Sequence, residues 1–215
     1  MSLQKPTPRE ATILLPPRFL GSVDYYAAMA AHRRAVIDTS MPFNKRQKST
    51  HRAEILDANG DAMVTVPIEK PASMSQARWS DINVSAHGAW WNVAVTALRS
   101  AYGRTPFFEF YFDDFMPLLS ASAAGRPLME LDADLDSLLR RLLGIDTEVS
   151  YGSPESVSGP VADYRSRPLD FLHPCEYYQL RAVRHGFRPG LSAVDLLFNL
   201  GPEAPILLAE MAGRV

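Results

Sequence analysis

Apolar residues recur at helical spacing in two long stretches of the chain. In the first, apolar side chains follow one another at intervals of three and four residues from Trp90 to Tyr102, and Gly103 comes next. In the second, leucines occupy one face of residues 131–143, and Gly144 follows. This period is typical of amphipathic α-helices, and glycine commonly terminates them. Both stretches are therefore predicted to be helices that pack against the core.

Three shorter stretches begin with helix-start residues. Ser22 and Ser192 each precede an apolar periodic segment, and Thr105-Pro106 precedes the aromatic segment FFEFYFDDFMPLL. Serine and threonine side chains accept backbone N–H groups at helix starts, and proline suits the first turn. Each signal predicts a further helix.

Short β-branched or alternating segments predict the strands. Residues 11–15 and 35–37 flank the first predicted helix, so they are expected to pair in parallel with functional residues at their carboxyl ends, where Asp38 lies. Asn59-Gly60 within AEILDANGDAMVTVPI predicts a β-hairpin with a type I′ turn. Ile82 and Val84 alternate with polar residues and are expected to add another strand to the sheet.

These elements together predict an α/β fold, with a mixed sheet that includes a β-hairpin and is flanked by helices. The length of 215 residues suits a single domain over the whole chain. Residues 151–168 are rich in Ser, Gly, Pro, Asp and Arg and lack periodicity, so a long loop is expected there. Such loops often serve as lids.

Composition narrows the functional classes. The chain is 47% hydrophobic and 21% charged, and its formal net charge of −2 provides no global basic field, so broad nucleic-acid binding is not expected. Cys175 has no second cysteine to pair with, and no Cys/His spacing resembles a zinc site. We predict no metal site, identify no cofactor, and expect a reducing, cytoplasmic environment.

Known targeting signals and catalytic motifs do not match the chain. The amino-terminal MSLQKPTPREATILLPPRF does not resemble a signal peptide, and no stretch approaches the roughly 18 apolar residues of a membrane-spanning helix, so membrane insertion is not expected. GxGxxG, Walker A, GxSxG and HExxH are missing from the sequence. Dinucleotide oxidoreductases, P-loop kinases, α/β-hydrolases and zincin proteases are therefore disfavoured.

The strongest functional signal is a basic segment ahead of the hairpin. Residues 44–52 contain no carboxylate and carry the cationic or titratable side chains Lys45, Arg46, Lys48, His51 and Arg52. Arg52 is suited to grip a phosphate or carboxylate with two parallel hydrogen bonds, while Lys45 and Lys48 add point charges. The alternative is a solvated surface loop. Mutual repulsion of these cations, which an anion would relieve, favours an anion site.

Two residues are candidates for proton transfer. Neighbouring cations are expected to disfavour protonation of His51, leaving a neutral imidazole that can act as a general base. Asp38, at the predicted strand end, is the second candidate. Equally open are a surface histidine without catalytic duty and an aspartate that bonds to its own turn.

Further candidate ligand contacts lie in the last third of the chain. Tyr178 offers a hydroxyl of the kind that sugar recognition uses, although tyrosines often simply pack in the core. Asn199 and Glu203 bracket the end of the terminal helix. If that end lines the same cleft as the basic segment, Glu203 is expected to orient Arg52 or bind a substrate amine; otherwise both residues cap the helix or face solvent.

Four segments together resemble the WbqC-like protein family. They are MPFNKRQKSTHR, MVTVPIEKP, SAYGRTPFFEFY and HGFRPGLSAVDLLFNLGPE, of which the last is the most specific. The resemblance extends over roughly residues 11–208. Members occur among bacterial genes for surface polysaccharide, which implies a role in the assembly of glycans or modified sugars. Within the basic segment, His51-Arg52 and one of Lys45 and Lys48 match positions that the family commonly carries.

Two functional hypotheses follow from the residues and the resemblance. The first is a cytoplasmic transferase that acts on an activated sugar or a similar anionic metabolite, with an anionic small molecule or a nucleotide-activated sugar as partner. The second is a non-catalytic ligand-binding or assembly protein of the same pathway. Local RNA binding by the basic segment is a weaker third, and a homodimer is left open.

Overall fold

The computed structural model describes residues 10–44, 46–71, 73 and 75–213. Its strands are β1 (Thr12–Leu15), β2 (Arg34–Asp38), β3 (Arg52–Asp57), β4 (Gly60–Thr65), β5 (Glu148–Gly152) and β6 (Val161–Asp163). Its α-helices are α1 (Val23–Ala30), α2 (Trp90–Tyr102), α3 (Phe108–Phe115), α4 (Leu128–Leu142), α5 (Ala182–His185), α6 (Ala193–Leu200) and α7 (Ala204–Met211). The α/β class is confirmed.

Four strands form a parallel sheet in the order β5-β2-β1-β6. Leu15 lies opposite Ile37, and Leu14 opposite Asp163, so the carboxyl ends of β1, β2 and β6 meet at one edge. β1 is buried along its whole length, as its unbroken apolar TILL predicts for an inner strand covered on both faces. The predicted parallel pairing of the first two strands is confirmed.

The hairpin forms a separate two-stranded sheet of β3 and β4 instead of joining the central sheet. Its turn residues are Ala58 and Asn59, because Asp57 pairs with Gly60. The positive φ of 119° lies at Gly60, and neither turn residue has a positive φ. A type I′ turn needs positive φ at both central residues, so the predicted turn type was wrong. The backbone N–H of Asn59 instead donates to Asp57 Oδ1 at 2.6 Å.

Two predictions about strands were also wrong. Ile82 and Val84 are both buried, but the segment makes isolated bridges to Ile68 and residue 127 and does not join the central sheet. Conversely, residues 151–168 were expected to form a loop, but they contain β6, which is an edge strand of the central sheet. β6 has three residues and is largely exposed, so it lacks the apolar pattern by which strands are recognised.

The helices surround the parallel sheet and contribute most of the core. Ser22 caps α1 by accepting a hydrogen bond from Tyr25 N, as predicted. Thr105 does not cap α3; its hydroxyl donates back to the Tyr102 carbonyl at 2.7 Å, and α3 begins at Phe108. None of the helices in the described part of the chain is both long enough and apolar enough to span a bilayer.

Candidate functional site

An ion network joins the carboxyl ends of β2 and β6 across β1. Arg165, two residues past β6, donates from Nη1 to Asp38 Oδ2 at 2.6 Å. Its Nε and Nη2 also donate to the two carboxylate oxygens of Asp163, at 3.0 and 2.7 Å. Paired, charge-assisted bonds of this kind fix the guanidinium plane. Arg165 therefore ties the outer strand to the middle of the sheet.

The members of the network shift each other's ionisation. The hydrogen bonds that Arg165 donates to Asp163 and then to Asp38 raise the pKa of Arg165, and the bond from Arg165 is the main reason that the pKa of Asp163 is lowered. Asp38 is 2% exposed, and its Oδ1 accepts from the backbone N–H and the hydroxyl of Ser40 at 3.0 and 2.6 Å. The turn-forming bond weighed for Asp38 is thus present, and so is its position at a strand end.

A cleft of about 590 Å³ opens above this network, and we call it the strand-end cleft. Asp38 and Arg165 form part of its wall, together with Arg78 and Arg167. The guanidinium of Arg167 lies 4.0 Å from the centre of the Tyr164 ring, which is a cation–π contact, and it makes no ion pair with the described residues.

A second cation-bearing turn follows β1. Here Phe19 N donates to Ser49 O at 3.1 Å, and the Thr50 hydroxyl donates to Pro17 O at 3.3 Å. These bonds fasten the basic segment to the turn that carries Arg18. The turn is tight, since Leu20 has a φ of +43°.

The segment before α6 closes the same region. Ser192 N donates to Glu54 O of β3 at 2.8 Å, and its hydroxyl donates to Leu20 O at 2.7 Å. Val23 N at the start of α1 donates to Leu191 O at 2.9 Å. The hairpin, the turn after β1 and the last third of the chain therefore meet at Ser192.

These three segments enclose a cleft of about 280 Å³, which we call the cationic cleft. Arg18, Lys48 and Arg52 line it, and Glu54 is the one carboxylate in its lining among the described residues. Within the described part of the chain, none of the three cations makes an ion pair or a side-chain hydrogen bond. The Nε of Arg52 is buried and likewise finds no partner there. The arrangement can bind an anion.

Burial shifts the pKa of one of these cations, Arg18. Desolvation lowers the pKa of Arg18, and the nearby Tyr25 hydroxyl opposes that shift. An arginine remains protonated at neutral pH even so, which means that a positive charge is held where water solvates it poorly. A bound anion would replace the missing solvation.

The clefts adjoin one another. A further cleft of about 420 Å³ at the end of β1 shares Arg167 with the strand-end cleft, and shares Arg18 and Ser22 with the cationic cleft. A single extended ligand can therefore contact both cationic regions along this edge of the sheet. Ligand sites outside the carboxyl ends of parallel strands are a general feature of α/β folds.

His51 directly precedes Arg52 in the chain, but it does not line the cationic cleft. It is 8% exposed, its ring centre is 6.3 Å from that of Trp79, and its Nδ1 has no partner among the described residues. Burial, and secondarily the charges of Arg52 and Lys48, lower the pKa of His51 to about 4. The imidazole is neutral at pH 7, as predicted, although burial contributes more than the neighbouring cations. With this pKa it is a weak base.

The remaining predicted site residues do not gather at the cationic cleft. Asn199 is 3% exposed and holds backbone groups: its side chain accepts from Leu180 N and donates to Asp195 O. Glu203 is exposed in the turn after α6, whereas the opposite end of that helix faces the cleft. Tyr178 is 53% exposed and lines none of the clefts described above. Lys45 lies outside the described residues.

Sequence reasoning missed several cations that the fold adds to the site, namely Arg18, Arg78, Arg165 and Arg167. Arg18 and Arg78 are isolated arginines in loops, and Arg165 and Arg167 lie in a loop of mixed charge, so composition within a short window does not single them out. Arg18 had a usable signal, because it stands between a predicted strand and the helix cap Ser22. In parallel sheets, the turn between strand and helix lies at the ligand-binding edge.

Comparison with known proteins identifies one family. The model of the WbqC-like protein family matches residues 17–160, which is more than half of the chain. The match stops one residue before β6, so the motif HGFRPGLSAVDLLFNLGPE lies outside it. Neither the curated proteins nor the solved structures contain a significant match.

Proposed function

Because this chain belongs to the WbqC-like protein family, we propose that it is a transferase of bacterial surface-polysaccharide biosynthesis acting on an activated sugar or a similar anionic metabolite. One observation carries the proposal. Arg18, Lys48 and Arg52 line one cleft without ion-pair partners among the described residues. In the proposed complex, this cleft binds the phosphate or carboxylate of the ligand.

Electrostatics supports an anionic ligand. Like charges that share a partly desolvated cleft repel each other, and their repulsion weakens folding unless an anion is present. The planar guanidiniums of Arg18 and Arg52 suit the oxygens of a phosphate, and Lys48 adds a compact charge.

The strand-end cleft supplies a group for proton transfer. In the proposed reaction, an acceptor hydroxyl attacks the anomeric carbon of the sugar, the bond from that carbon to the phosphate oxygen breaks, and the phosphate-bearing group leaves. The hydroxyl proton passes to the Asp38 carboxylate. Asp38 is favoured over His51 for this step because Asp38 lines the strand-end cleft, which is linked to the cationic cleft through the cleft at the end of β1, whereas His51 lines none of these clefts.

Arg52→Ala tests the anion site, and Arg46→Ala is its matched control. Both residues are arginines of the basic segment, but Arg46 is exposed and does not line the cleft. Titration with a panel of nucleoside-diphosphate sugars and inorganic pyrophosphate should show at least tenfold weaker binding for Arg52→Ala, since one charge-assisted bond contributes about 1.5–3 kcal/mol. Arg46→Ala should bind like the unmodified protein. Equal affinity in both variants would contradict the proposal.

A non-catalytic binding protein is the second candidate, and one observation favours it. Both oxygens of Asp38 already accept hydrogen bonds, from Ser40 and Arg165, as expected of a purely structural carboxylate. Asp38→Asn separates the two functions once a ligand is known. Lost turnover with retained ligand affinity supports the transferase, while the absence of turnover in the unmodified protein with every bound ligand supports the binding protein.

A further inference from the structure

A fourth cleft, of about 610 Å³, lies beside the cationic cleft, and we call it the aromatic cleft. Tyr177 and Phe187 form part of its wall, with ring centres 5.3 Å apart and ring planes at 86°. Leu169 and Leu172 add aliphatic surface. The cleft has the size and the mainly apolar character of a small-molecule site.

Its polar groups are opposite in charge to those of the cationic cleft. Asp24 and Glu176 contribute carboxylates, and none of its lining residues in the described part of the chain is a lysine or arginine. The part of a ligand that binds here is thus expected to be uncharged, to present an apolar face and to carry donors such as hydroxyl or amino groups.

The aromatic and cationic clefts are contiguous. Gly190 lines both of them. Asp24 lines the aromatic cleft and also the cleft at the end of β1, where Arg18 is a neighbour. The Asp24 side chain is therefore shared by the cleft that holds the ring pair and the cleft that holds Arg18.

A hydrogen bond to a buried carboxylate holds the ring of Tyr177 in place. Its hydroxyl donates to Asp195 Oδ2 at 2.7 Å, and the same oxygen accepts from Gln179 Nε2 at 3.1 Å. Asp195 is 2% exposed on α6. A ring fixed by a buried partner provides a rigid surface for a flat ligand and loses little entropy on binding.

We infer that the aromatic cleft binds the nucleoside of a nucleoside-diphosphate sugar, an inference that rests on the proposed function of the cationic cleft. The base packs against Tyr177 and Phe187, the ribose hydroxyls donate to Asp24, and the diphosphate extends to Arg18 and Arg52. This order of base, ribose and phosphate matches the order of the aromatic, acidic and cationic groups along the adjoining clefts.

Binding of three probes to the unmodified full chain tests the inference. The probes are inorganic pyrophosphate, the common ribonucleoside diphosphates, and decyl phosphate as an aliphatic anion, each measured by calorimetry at low salt. At least one nucleoside diphosphate should bind about tenfold or more tightly than pyrophosphate, because stacking on an aromatic side chain adds to phosphate binding. Decyl phosphate should not exceed that nucleotide in affinity.

Two variants locate the nucleoside. Phe187→Ala should weaken nucleoside-diphosphate binding about tenfold and leave pyrophosphate binding unchanged, and Phe110→Ala, a phenylalanine that is 76% exposed, is the matched control. Asp24→Asn should weaken binding of the ribonucleotide severalfold but not that of its 2′,3′-dideoxy analogue. Because Asp24→Asn keeps the shape of the side chain, it tests the inference even if the Phe187→Ala protein does not fold.

The outcomes distinguish this inference from the proposed function. If pyrophosphate binds, Arg52→Ala abolishes that binding, and no nucleotide binds better, the inference fails and the anion site stands. Tighter binding of decyl phosphate than of every nucleotide assigns the cleft to an acyl or lipid chain and also overturns the inference. If neither pyrophosphate nor any nucleotide binds, both proposals fail.

Discussion

Asp195 combines burial with hydrogen bonds from Tyr177 and Gln179. These bonds, and the nearby Tyr102 hydroxyl, favour its charged form and so oppose a rise in its pKa. Burial outweighs these contacts and raises the pKa of Asp195 from 3.8 to about 6. The folded protein therefore holds a proton on this residue over a pH range in which the unfolded chain has released it.

This shift predicts a pH dependence of stability. Because the folded pKa is the higher one, the contribution is fully present below pH 3.8 and is lost as the pH rises through about 6. The lost contribution is about 3 kcal/mol, an order-of-magnitude figure from a shift of roughly two pKa units. Urea unfolding from pH 4 to 7 should show that Asp195→Asn removes a fall in stability that the unmodified protein displays.

The exposed Asp113 offers the control, since Asp113→Asn should leave the pH profile unchanged. Asp132 and Asp136 are also buried with raised pKa values, and they contribute the same sign of slope in all three proteins. The difference between the profiles therefore isolates Asp195. Parallel profiles for Asp195→Asn and the unmodified protein would contradict the prediction.

At the scale of elements, one side chain reinforces the attachment of the edge strand β6 to the sheet. β6 pairs with β1 over three residues, and Arg165 supplies the further link to Asp38 on β2. Removing one partner of a buried ion pair leaves the other charge without compensation. Arg165 therefore contributes to stability mostly by compensating the charge of the buried Asp38 carboxylate.

Arg165→Ala is expected to lower the free energy of unfolding by about 3 kcal/mol, the lower end of the range for broken buried pairs, because Arg165 itself is partly exposed. Arg167→Ala, in the same segment but stacked on Tyr164, should cost about 1 kcal/mol or less. Urea denaturation measures both. The double variant Asp38→Asn with Arg165→Ala should be more stable than the sum of the single changes predicts; additive losses would contradict the buried-pair explanation.

At the scale of the whole molecule, the region beyond the family match completes the fold. β6, α6 and α7 all follow residue 160, and α6 is buried on nearly every side. Several of their side chains belong to the same core as the central sheet, including Val194, Leu197, Phe198 and Leu208. The matched region alone lacks these contacts.

A chain that ends at residue 160 is therefore expected not to fold cooperatively. It would expose core surfaces of α1, α3 and α4 that α6 and α7 cover, at roughly 25 cal/mol per Å² of apolar area. Circular dichroism and urea titration of the truncated chain should show no sigmoidal transition. A sharp transition there would show that the carboxyl-terminal quarter of the chain is dispensable for folding.

Local sequence was sufficient wherever an element has its own apolar pattern. α2 and α4 were predicted because each presents a continuous apolar face, and β1 and β2 because they are short apolar runs. β6 was missed because its pairing depends on backbone bonds to β1, far away in the chain, and its own residues are mostly exposed. The type I′ turn was wrong because Ala58 shares the turn with Asn59.

In the candidate site too, some features were determined by local sequence and others only by the tertiary structure. By itself, the sequence determined the cationic character of the basic segment and the position of Asp38 at a strand end, since both depend on neighbouring residues. Tertiary structure decided that Arg18 joins Lys48 and Arg52, that Arg165 reaches Asp38, and that Asn199 and Glu203 lie away from the cleft. The physical reason is that a cleft is a meeting of distant segments, and which segments meet depends on how the whole core packs.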